Sequence, residues 1–198
     1  MIDWEEYYKI HKQDEIKPNR ILEKIVKEMD GIQSVVDIGC GAGTDTIFLL
    51  QKGIKVYAID REESSLRIIQ QRLKNINKET LLDNFQFINE SFERASLPSV
   101  DLVNSYNSLS YCEPKYFYDF ISKVKESINK NGVFVGNFFG IEDSWNGKKN
   151  MTFLSKDEVI NIFKDFNIIE INEIKKKGIT SLKAEKFWHF IDVIAIKK

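Results

Sequence analysis

The stretch Ser34–Leu50, SVVDIGCGAGTDTIFLL, decides the fold of this 198-residue chain. A short apolar run ends in Asp37, and glycines stand at positions 39, 41 and 43 immediately before a run of helical character. Glycine tolerates the positive φ angles of a tight turn and allows the backbone to approach a ligand closely. The pattern therefore predicts a buried strand, a ligand-binding turn and a helix, in that order.

Strand and helix patterns alternate along the rest of the chain. Strands are predicted at 34–39, 55–60, 85–90, 100–106, 133–139, 167–174 and 187–196. Helices are predicted at about 21–29, 44–52, 66–76, 114–128 and 155–165. Alternation predicts a parallel sheet covered by helices on both faces, and the last two strands, which have no helix between them, predict an antiparallel last strand. We therefore expect an α/β, Rossmann-like fold with a seven-stranded, mostly parallel sheet.

The whole chain, 1–198, is expected to form a single domain. Residues 1–30 are an N-terminal helical segment, and residues 34–198 are the core. Aromatic and imidazole side chains recur in the first eleven residues, at Trp4, Tyr7, Tyr8 and His11. This spacing predicts an amphipathic helix that either closes over the ligand as a lid or packs on the flank of the sheet.

The charge balance argues against a nucleic-acid surface. The chain has 29 basic and 30 acidic residues and a formal net charge of −1, whereas nucleic-acid-binding domains normally show a basic excess. We find no signal-peptide pattern and no apolar run of the roughly 20 residues that a membrane span needs. Two cysteines cannot form a disulfide framework, which favours a reducing compartment. We expect a cytoplasmic protein, monomeric or homodimeric.

Asp37 and the glycine spacing together indicate the ligand. A dinucleotide site has the spacing G-x-G-x-x-G with a pyrophosphate on the helix N-terminus, but here the spacing is G-x-G-x-G. A carboxylate is a poor neighbour for pyrophosphate and a good one for a cation. S-adenosylmethionine carries an ammonium and a sulfonium and has no phosphate, so it is favoured over NAD. Asp60 lies 21 residues after Gly39, a spacing at which an acid can accept hydrogen bonds from a ribose.

These motifs resemble those of the class I S-adenosylmethionine-dependent methyltransferases. VVDIGCGAGT resembles the first motif of that family and VYAID its second, and the predicted strand order is that of the family. The resemblance implies S-adenosylmethionine as cofactor, S-adenosylhomocysteine as product, and no metal. It places the donor on these residues: Asp37, Gly39, Cys40, Gly41, Gly43, Asp60 and Arg61. It places the adenine beside Asn89, Glu90 and Ser91, and the methionine part beside Asn104 and Tyr106.

Candidate acceptor-side residues lie at the same predicted sheet edge. His189 stands near the start of the antiparallel last strand, and a histidine can act as general base near neutral pH; a packed or surface histidine is the alternative. Tyr106 and Trp145 are the further candidates. The carboxyl-terminal arrangement resembles that of tellurite-resistance methyltransferases, which surround an oxyanion with a histidine and arginines. No arginine follows Arg94 in this chain, so only lysines such as Lys183 and Lys186 could replace them.

The short insertions between strands favour a small-molecule acceptor, with no nucleic acid and no membrane as partner. A thiol, phenol, amine or carboxylate is as compatible as an oxyanion. Two further hypotheses stay open: a non-catalytic module that senses the donor or serves as a partner subunit, and an RNA or protein methyltransferase. The sequence leaves the acceptor atom undecided.

Overall fold

The computed structural model describes residues 17–180 and 183–198, and within them seven strands form a single sheet of order β3-β2-β1-β4-β5-β7-β6. The strands are β1 (Ser34–Ile38), β2 (Lys55–Ile59), β3 (Phe85–Ile88), β4 (Val100–Ser105), β5 (Ile128–Phe139), β6 (Phe166–Ile179) and β7 (Glu185–Lys197). Strands β1 to β5 pair in parallel, and β7 is antiparallel to both β5 and β6. The expected fold class is confirmed.

Five α-helices accompany the strands within the described ranges. They are α1 (Arg20–Glu28), α2 (Thr44–Gln51), α3 (Ser64–Asn75), α4 (Pro114–Ser127) and α5 (Lys156–Ile162), with the capping box of Ser155 and Glu158 at the start of α5. Two short 3-10 helices, Glu79–Asn84 before β3 and Leu109–Tyr111 after β4, were not expected from the sequence.

The helices cover two faces of the sheet, each with its own apolar cluster. On one face α1, α2 and α3 pack on residues such as Val35, Leu102 and Ile194. On the other face α4 and α5 pack on residues such as Ile191 and Val193. Because successive side chains of a strand point to opposite faces, neighbouring positions of β7 belong to different clusters.

Asn131 and Gly178, residue types that are common in turns, both lie inside strands. Asn131 has a φ of 65°, but β5 continues through it, with a register shift opposite Val100 and Leu102. Gly178 of β6 pairs with Lys186 of β7, and the pairing continues to Ile179 and Glu185. The long antiparallel pairing of β6 with β7 provides hydrogen bonds along the whole hairpin. A residue type that is common in turns does not indicate this pairing.

The topology places the site at the carboxyl edge of β1 and β4. Strand β1 pairs with β2 on one side and with β4 on the other, so the chain reverses its winding direction between β1 and β4. Ligands of open α/β sheets bind at such a switch point. The predicted lid, residues 1–16, lies outside the described residues. Within the described ranges, no helix is both long enough and apolar enough to cross a membrane.

Candidate functional site

The turn between β1 and α2 depends on glycines in the left-handed region. The φ angles are 68° at Gly39 and 74° at Gly43. A Cβ added at Gly39 would overlap the side chain of Ser108, and one at Gly43 would overlap the side chain of Ile69. Both positions therefore require glycine for two reasons, backbone conformation and close packing.

The carboxylate of Asp60, just after β2, is fastened to this turn. Its Oδ2 accepts a hydrogen bond from the Gly41 amide at 2.9 Å and its Oδ1 accepts one from the Glu62 amide at 2.9 Å. Burial raises the pKa of the carboxyl group, and these two amides partly offset that effect. The backbone amides of Gly39 and Cys40 donate to the Ile59 carbonyl at 2.8 and 3.0 Å. The ends of β1 and β2 are thus held together around Asp60.

Asp37, the last acidic residue before the turn, is almost wholly buried, with 3% of its surface exposed. Its Oδ2 accepts from the Thr46 hydroxyl at 2.6 Å and its Oδ1 accepts from Asn104 Nδ2 at 2.9 Å. Burial, together with the nearby Asp45 carboxylate, raises the pKa of Asp37 to about 7. The same Asn104 Nδ2 also donates to Asp45 Oδ2 at 3.1 Å. One amide group therefore holds two carboxylates.

Two buried polar atoms beside these carboxylates have no hydrogen-bond partner among the described residues: Asn104 Oδ1 and the Tyr106 hydroxyl. Asn104 and Tyr106 are two positions apart at the end of β4, so their side chains lie on the same face of the sheet. Burial and the carboxylates of Asp192 and Asp45 raise the pKa of the Tyr106 hydroxyl. Buried polar groups of proteins are normally paired, and these two atoms are suited to receive a polar ligand.

A cavity of about 220 Å³ opens at the carboxyl edge of the sheet. Predicted residues form one side of it: Gly39, Asp60, Arg61, Glu90 and Ser91. The other lining residues were not foreseen: Phe92, Glu93, Asn107, Ser108, Tyr111, Cys112, Glu113 and Asn150. Most of these come from the segment that follows β4. The sequence indicated only that this segment follows a strand at the ligand-binding edge of the sheet. The 3-10 helix Leu109–Tyr111, which orients the side chains of the segment, had no recognisable sequence pattern.

The three residues expected around an adenine have different surroundings. Glu90 and Ser91 line the cavity. The Asn89 side chain instead donates from Nδ2 to the carbonyl oxygens of Asp60 and Arg61, at 3.0 and 2.9 Å. Asn89 thus holds the segment that carries Asp60. Arg61 lines the cavity and contacts Glu62 through its Nε at 3.1 Å.

His189 is buried and both of its ring nitrogens are engaged. Its Nδ1 accepts from the Glu142 amide at 3.0 Å, so the proton of the neutral ring is on Nε2, which lies 2.9 Å from Glu173 Oε1. The ring packs against the Gly140 backbone, where an added Cβ would overlap it. His189 is absent from the described lining of the cavity. The expected general base therefore has the contacts of a residue that anchors the loop after β5.

The face of the sheet on which His189 lies explains this placement. Ile191, two positions further along β7, packs in the cluster of α4 and α5, so His189 lies on that face. Asn104 and Tyr106 share the parity of Leu102, which packs in the cluster of α1 to α3. Trp188, one position before His189, consequently lies on the face of Asn104 and Tyr106.

Trp145 belongs to an aromatic cluster that surrounds the ammonium of Lys186. The Nζ of Lys186 lies 3.6 Å from the ring centroid of Trp188, 4.2 Å from that of Trp145 and 4.8 Å from that of Phe139. The same ammonium donates to both carboxylate oxygens of Asp143. Neither side chain of this ion pair is exposed. Lys186 is thus already neutralised by Asp143, and it is not open to an oxyanion in this arrangement.

Residues 35–132 match the family model described as a methyltransferase domain. The matched span contains the glycine turn, Asp37, Asp60 and the segment that follows β4. The chain belongs to the class I S-adenosylmethionine-dependent methyltransferases. The resemblance of the two motifs to this family is confirmed, and S-adenosylmethionine is the cofactor.

Methyltransferases of several kinds are similar to this chain. The ribosomal RNA small subunit methyltransferase A of Mesomycoplasma hyopneumoniae strain 232 is 33% identical over 100 residues, which cover 50% of this chain and 36% of that protein. The chain thus matches about a third of the length of this curated relative.

Solved structures of methyltransferases share the fold at lower identity. TehB from Haemophilus influenzae has a TM-score of 0.79 and 19% identity, with coverage of 98% of this chain and 67% of that chain. The 1,6-didemethyltoxoflavin-N1-methyltransferase of Burkholderia thailandensis, solved with 1,6-didemethyltoxoflavin and S-adenosylhomocysteine, has a TM-score of 0.67 and 17% identity; the coverage is 90% of this chain and 77% of that chain. At such identities the likeness concerns the fold.

The site fits the cofactor on two observations. The buried Asn104 Oδ1 has no hydrogen-bond partner among the described residues. At Gly39 the backbone of the turn lines the cavity with no side chain in the way, so a ligand can approach it closely. The roles of individual residues toward the cofactor stay predictions.

Proposed function

We propose that this methyltransferase transfers the methyl group of S-adenosylmethionine to a small molecule. The observation that carries the proposal is a compact cavity with two unlike walls. The glycine turn and Asp60 form one wall, and the segment after β4, with Tyr111 and Glu113, forms the other. When it is bound, the donor supplies a methyl group that is activated by its bond to the positively charged sulfonium sulfur. The protein's contribution is then positioning, for which well-oriented systems gain as much as roughly 7–11 kcal/mol.

The donor rests on the motif residues in this proposal. Asp60 accepts hydrogen bonds from the ribose, and its two backbone donors keep it in place. Asp37 and Asn104 face the charged amino-acid part of the donor. Glu90 and Ser91 lie beside the adenine, and Asn89 supports Asp60 from behind through its two hydrogen bonds.

The charges around the cavity favour a neutral or cationic acceptor over an oxyanion. Glu90, Glu93 and Glu113 line the cavity, and Arg61 is the basic residue among the described lining residues. The ammonium of Lys186 is paired with Asp143 inside the aromatic cluster. An anionic acceptor would therefore meet three glutamates and, among the described lining residues, one arginine fork, that of Arg61, which already contacts Glu62. An amine, a phenol or a thiol suits this electrostatic environment.

His189 has a positioning role in this proposal. Its Nδ1 fixes the Glu142 amide, and its backbone amide donates to Asp143 Oδ2 at 3.2 Å. These bonds hold the loop that carries Asn150 to the cavity. A general base is needed only where the acceptor must lose a proton before it attacks; a neutral amine, a thiolate or a phenolate already has the electron pair that forms the new bond, whereas a protonated amine must first release its proton.

The second candidate is an RNA methyltransferase, because one of the chain's curated relatives is a ribosomal RNA small subunit methyltransferase. The net charge of −1 does not favour RNA, although a partner protein can supply a basic surface. A donor-binding module without turnover is the third candidate.

One experiment separates these candidates. The protein is incubated with S-adenosylmethionine and, separately, with amines, phenols, thiols, carboxylates, tellurite, selenite, ribosomal RNA or transfer RNA, and release of S-adenosylhomocysteine is measured. The Asp60→Ala variant is the control for background release. Release with an uncharged or cationic small molecule supports the proposal. Release with RNA alone, or donor binding without release from any acceptor, contradicts it in favour of the second or third candidate.

A further inference from the structure

We propose that Asp45 is a second carboxylate of the subsite that receives the donor's ammonium, and that it acts as a pair with Asp37. This inference rests on the proposed function, and it concerns a residue outside the glycine turn and outside the motifs that resemble the family. Asp45 lies in the first turn of α2, directly behind the turn that carries Gly43.

The two carboxylates are bridged by one amide. Asn104 Nδ2 donates to Asp37 Oδ1 at 2.9 Å and to Asp45 Oδ2 at 3.1 Å. The remaining oxygen of Asp45, Oδ1, accepts from the Asn19 amide at 2.8 Å, just before α1 begins. Asp45 is thus fixed from two directions, by β4 and by the residue that caps α1. A carboxylate held in this way is pre-organised for a cation.

The pair is short of positive charge. Burial raises the pKa of both carboxyl groups, and the carboxylates of Asp45 and Asp60 raise that of Asp37 further; the groups that oppose these shifts are neutral hydrogen-bond donors. Two neighbouring buried carboxylates repel each other, and a cation between them relieves both the repulsion and the loss of hydration. The described residues include no group of three or more acidic, histidine or cysteine side chains arranged to hold a metal. An organic cation is the better match.

Asn104 Oδ1 supplies the independent sign of a ligand. Asn104 is 1% exposed, and this oxygen has no hydrogen-bond partner within the described ranges. Both amide hydrogens of Nδ2 are directed to carboxylates, so the amide cannot be turned over without placing oxygen against oxygen. The atom therefore needs a donor from outside, and an ammonium has three N–H groups to share between Oδ1 and the two carboxylates.

Three ligands test the inference by calorimetry on the full chain. S-adenosylhomocysteine has both the ammonium and the carboxylate, its decarboxylated analogue S-adenosyl-3-thiopropylamine keeps only the ammonium, and 5′-methylthioadenosine has neither; all three are thioethers without a sulfonium charge. The Asp45→Asn variant is expected to bind the first two ligands about 10- to 100-fold more weakly, as for loss of a charged hydrogen-bond partner. Its affinity for 5′-methylthioadenosine is expected to stay within about twofold.

The matched control is Asp119→Asn, which removes an exposed carboxylate from α4 and is expected to leave all three affinities unchanged. Asp45→Ser keeps a hydrogen-bond acceptor without the charge, and it replaces Asp45→Asn if that variant does not fold. Asp45→Asn removes a buried like charge but also disturbs the hydrogen bonds from Asn19 and Asn104, so the comparison among the three ligands, and not the melting temperature, separates ammonium binding from a structural role. Equal weakening of all three ligands, or no weakening of any, overturns the inference. If the wild-type protein binds none of the ligands, the proposed function fails as well.

Discussion

Asp143 accepts two hydrogen bonds from the ammonium of Lys186, and neither side chain reaches solvent. The pair joins the loop after β5 to the start of β7. The rings of Trp145 and Trp188 enclose the ammonium. Desolvation lowers the pKa of the Lys186 amine, and the Asp143 carboxylate opposes that effect. The position of the loop therefore depends on a buried ion pair, and removal of either charge would leave the other buried and unpaired, which lowers the stability of the folded protein.

Lys186→Met is expected to destabilise the protein by about 3–5 kcal/mol, because Asp143 would remain buried without its partner. The double variant Lys186→Met/Asp143→Asn should recover much of this loss, since the unpaired charge is then gone. Urea unfolding measures both variants. The control, Lys177→Met, changes an exposed lysine of β6 and should stay within about 0.5 kcal/mol of wild type. A double variant no more stable than Lys186→Met would contradict this account of the pair.

Gly43→Ala is expected to destabilise more than Gly53→Ala, although both positions have similar positive φ angles of 74° and 76°. At Gly53 an added Cβ meets nothing within 4 Å, whereas at Gly43 it overlaps Ile69. The left-handed conformation alone costs about 1–2 kcal/mol, and overpacking adds about 1–3 kcal/mol. Thermal unfolding of both variants, with S-adenosylhomocysteine affinity alongside, makes the comparison. Equal losses of stability in the two variants would show that the overlap with Ile69 does not contribute to the effect of Gly43→Ala.

The motif side of the site could be predicted from sequence because each signal there is local. Gly39, Gly43 and Asp60 stand at strand ends whose positions the alternating pattern already indicates. The acceptor side could not be predicted in this way. Tyr111 and Glu113 reach the cavity through a short 3-10 helix, and His189 lies on its face of β7 through the register of a long hairpin. Register is set by partners distant in the chain.

His189→Ala is expected to lower stability by about 1–3 kcal/mol, because the Glu142 amide loses its buried acceptor. Affinity for S-adenosylhomocysteine should stay within about twofold, since the ring does not line the described cavity. Urea unfolding and calorimetry provide the two readouts.

His189→Gln tests the alternative role of His189 as a base. Once an acceptor is known, a positioning role predicts that this variant keeps the pH profile of turnover while its rate falls. Loss of an ionisation near neutral pH from that profile, with stability unchanged, would return His189 to the role of general base.

Asp37 links the stability of the ligand-free protein to pH. Its pKa rises from 3.8 to about 7 on folding, through burial and through the carboxylates of Asp45 on α2 and Asp60 after β2. The folded state therefore keeps a proton that the unfolded state loses near pH 4, so this group's contribution to stability decreases as the pH rises toward 7. Thr46 and Asn104 oppose the shift by donating hydrogen bonds.

Asp37→Asn is accordingly expected to be more stable than wild type at pH 8 without ligand, by on the order of 1–4 kcal/mol. The difference should shrink as the pH falls from 7 and vanish below about pH 3, where the wild-type carboxyl group is neutral in both the folded and the unfolded state. Melting temperatures between pH 3 and 8 measure it, with exposed Asp83→Asn as control. The same variant should bind S-adenosylhomocysteine about 10- to 100-fold more weakly. If the Asp37→Asn variant is more stable but binds S-adenosylhomocysteine with wild-type affinity, the buried charge of Asp37 does not contribute to donor binding. The pair of Asp37 and Asp45 would then have no role in binding the ammonium.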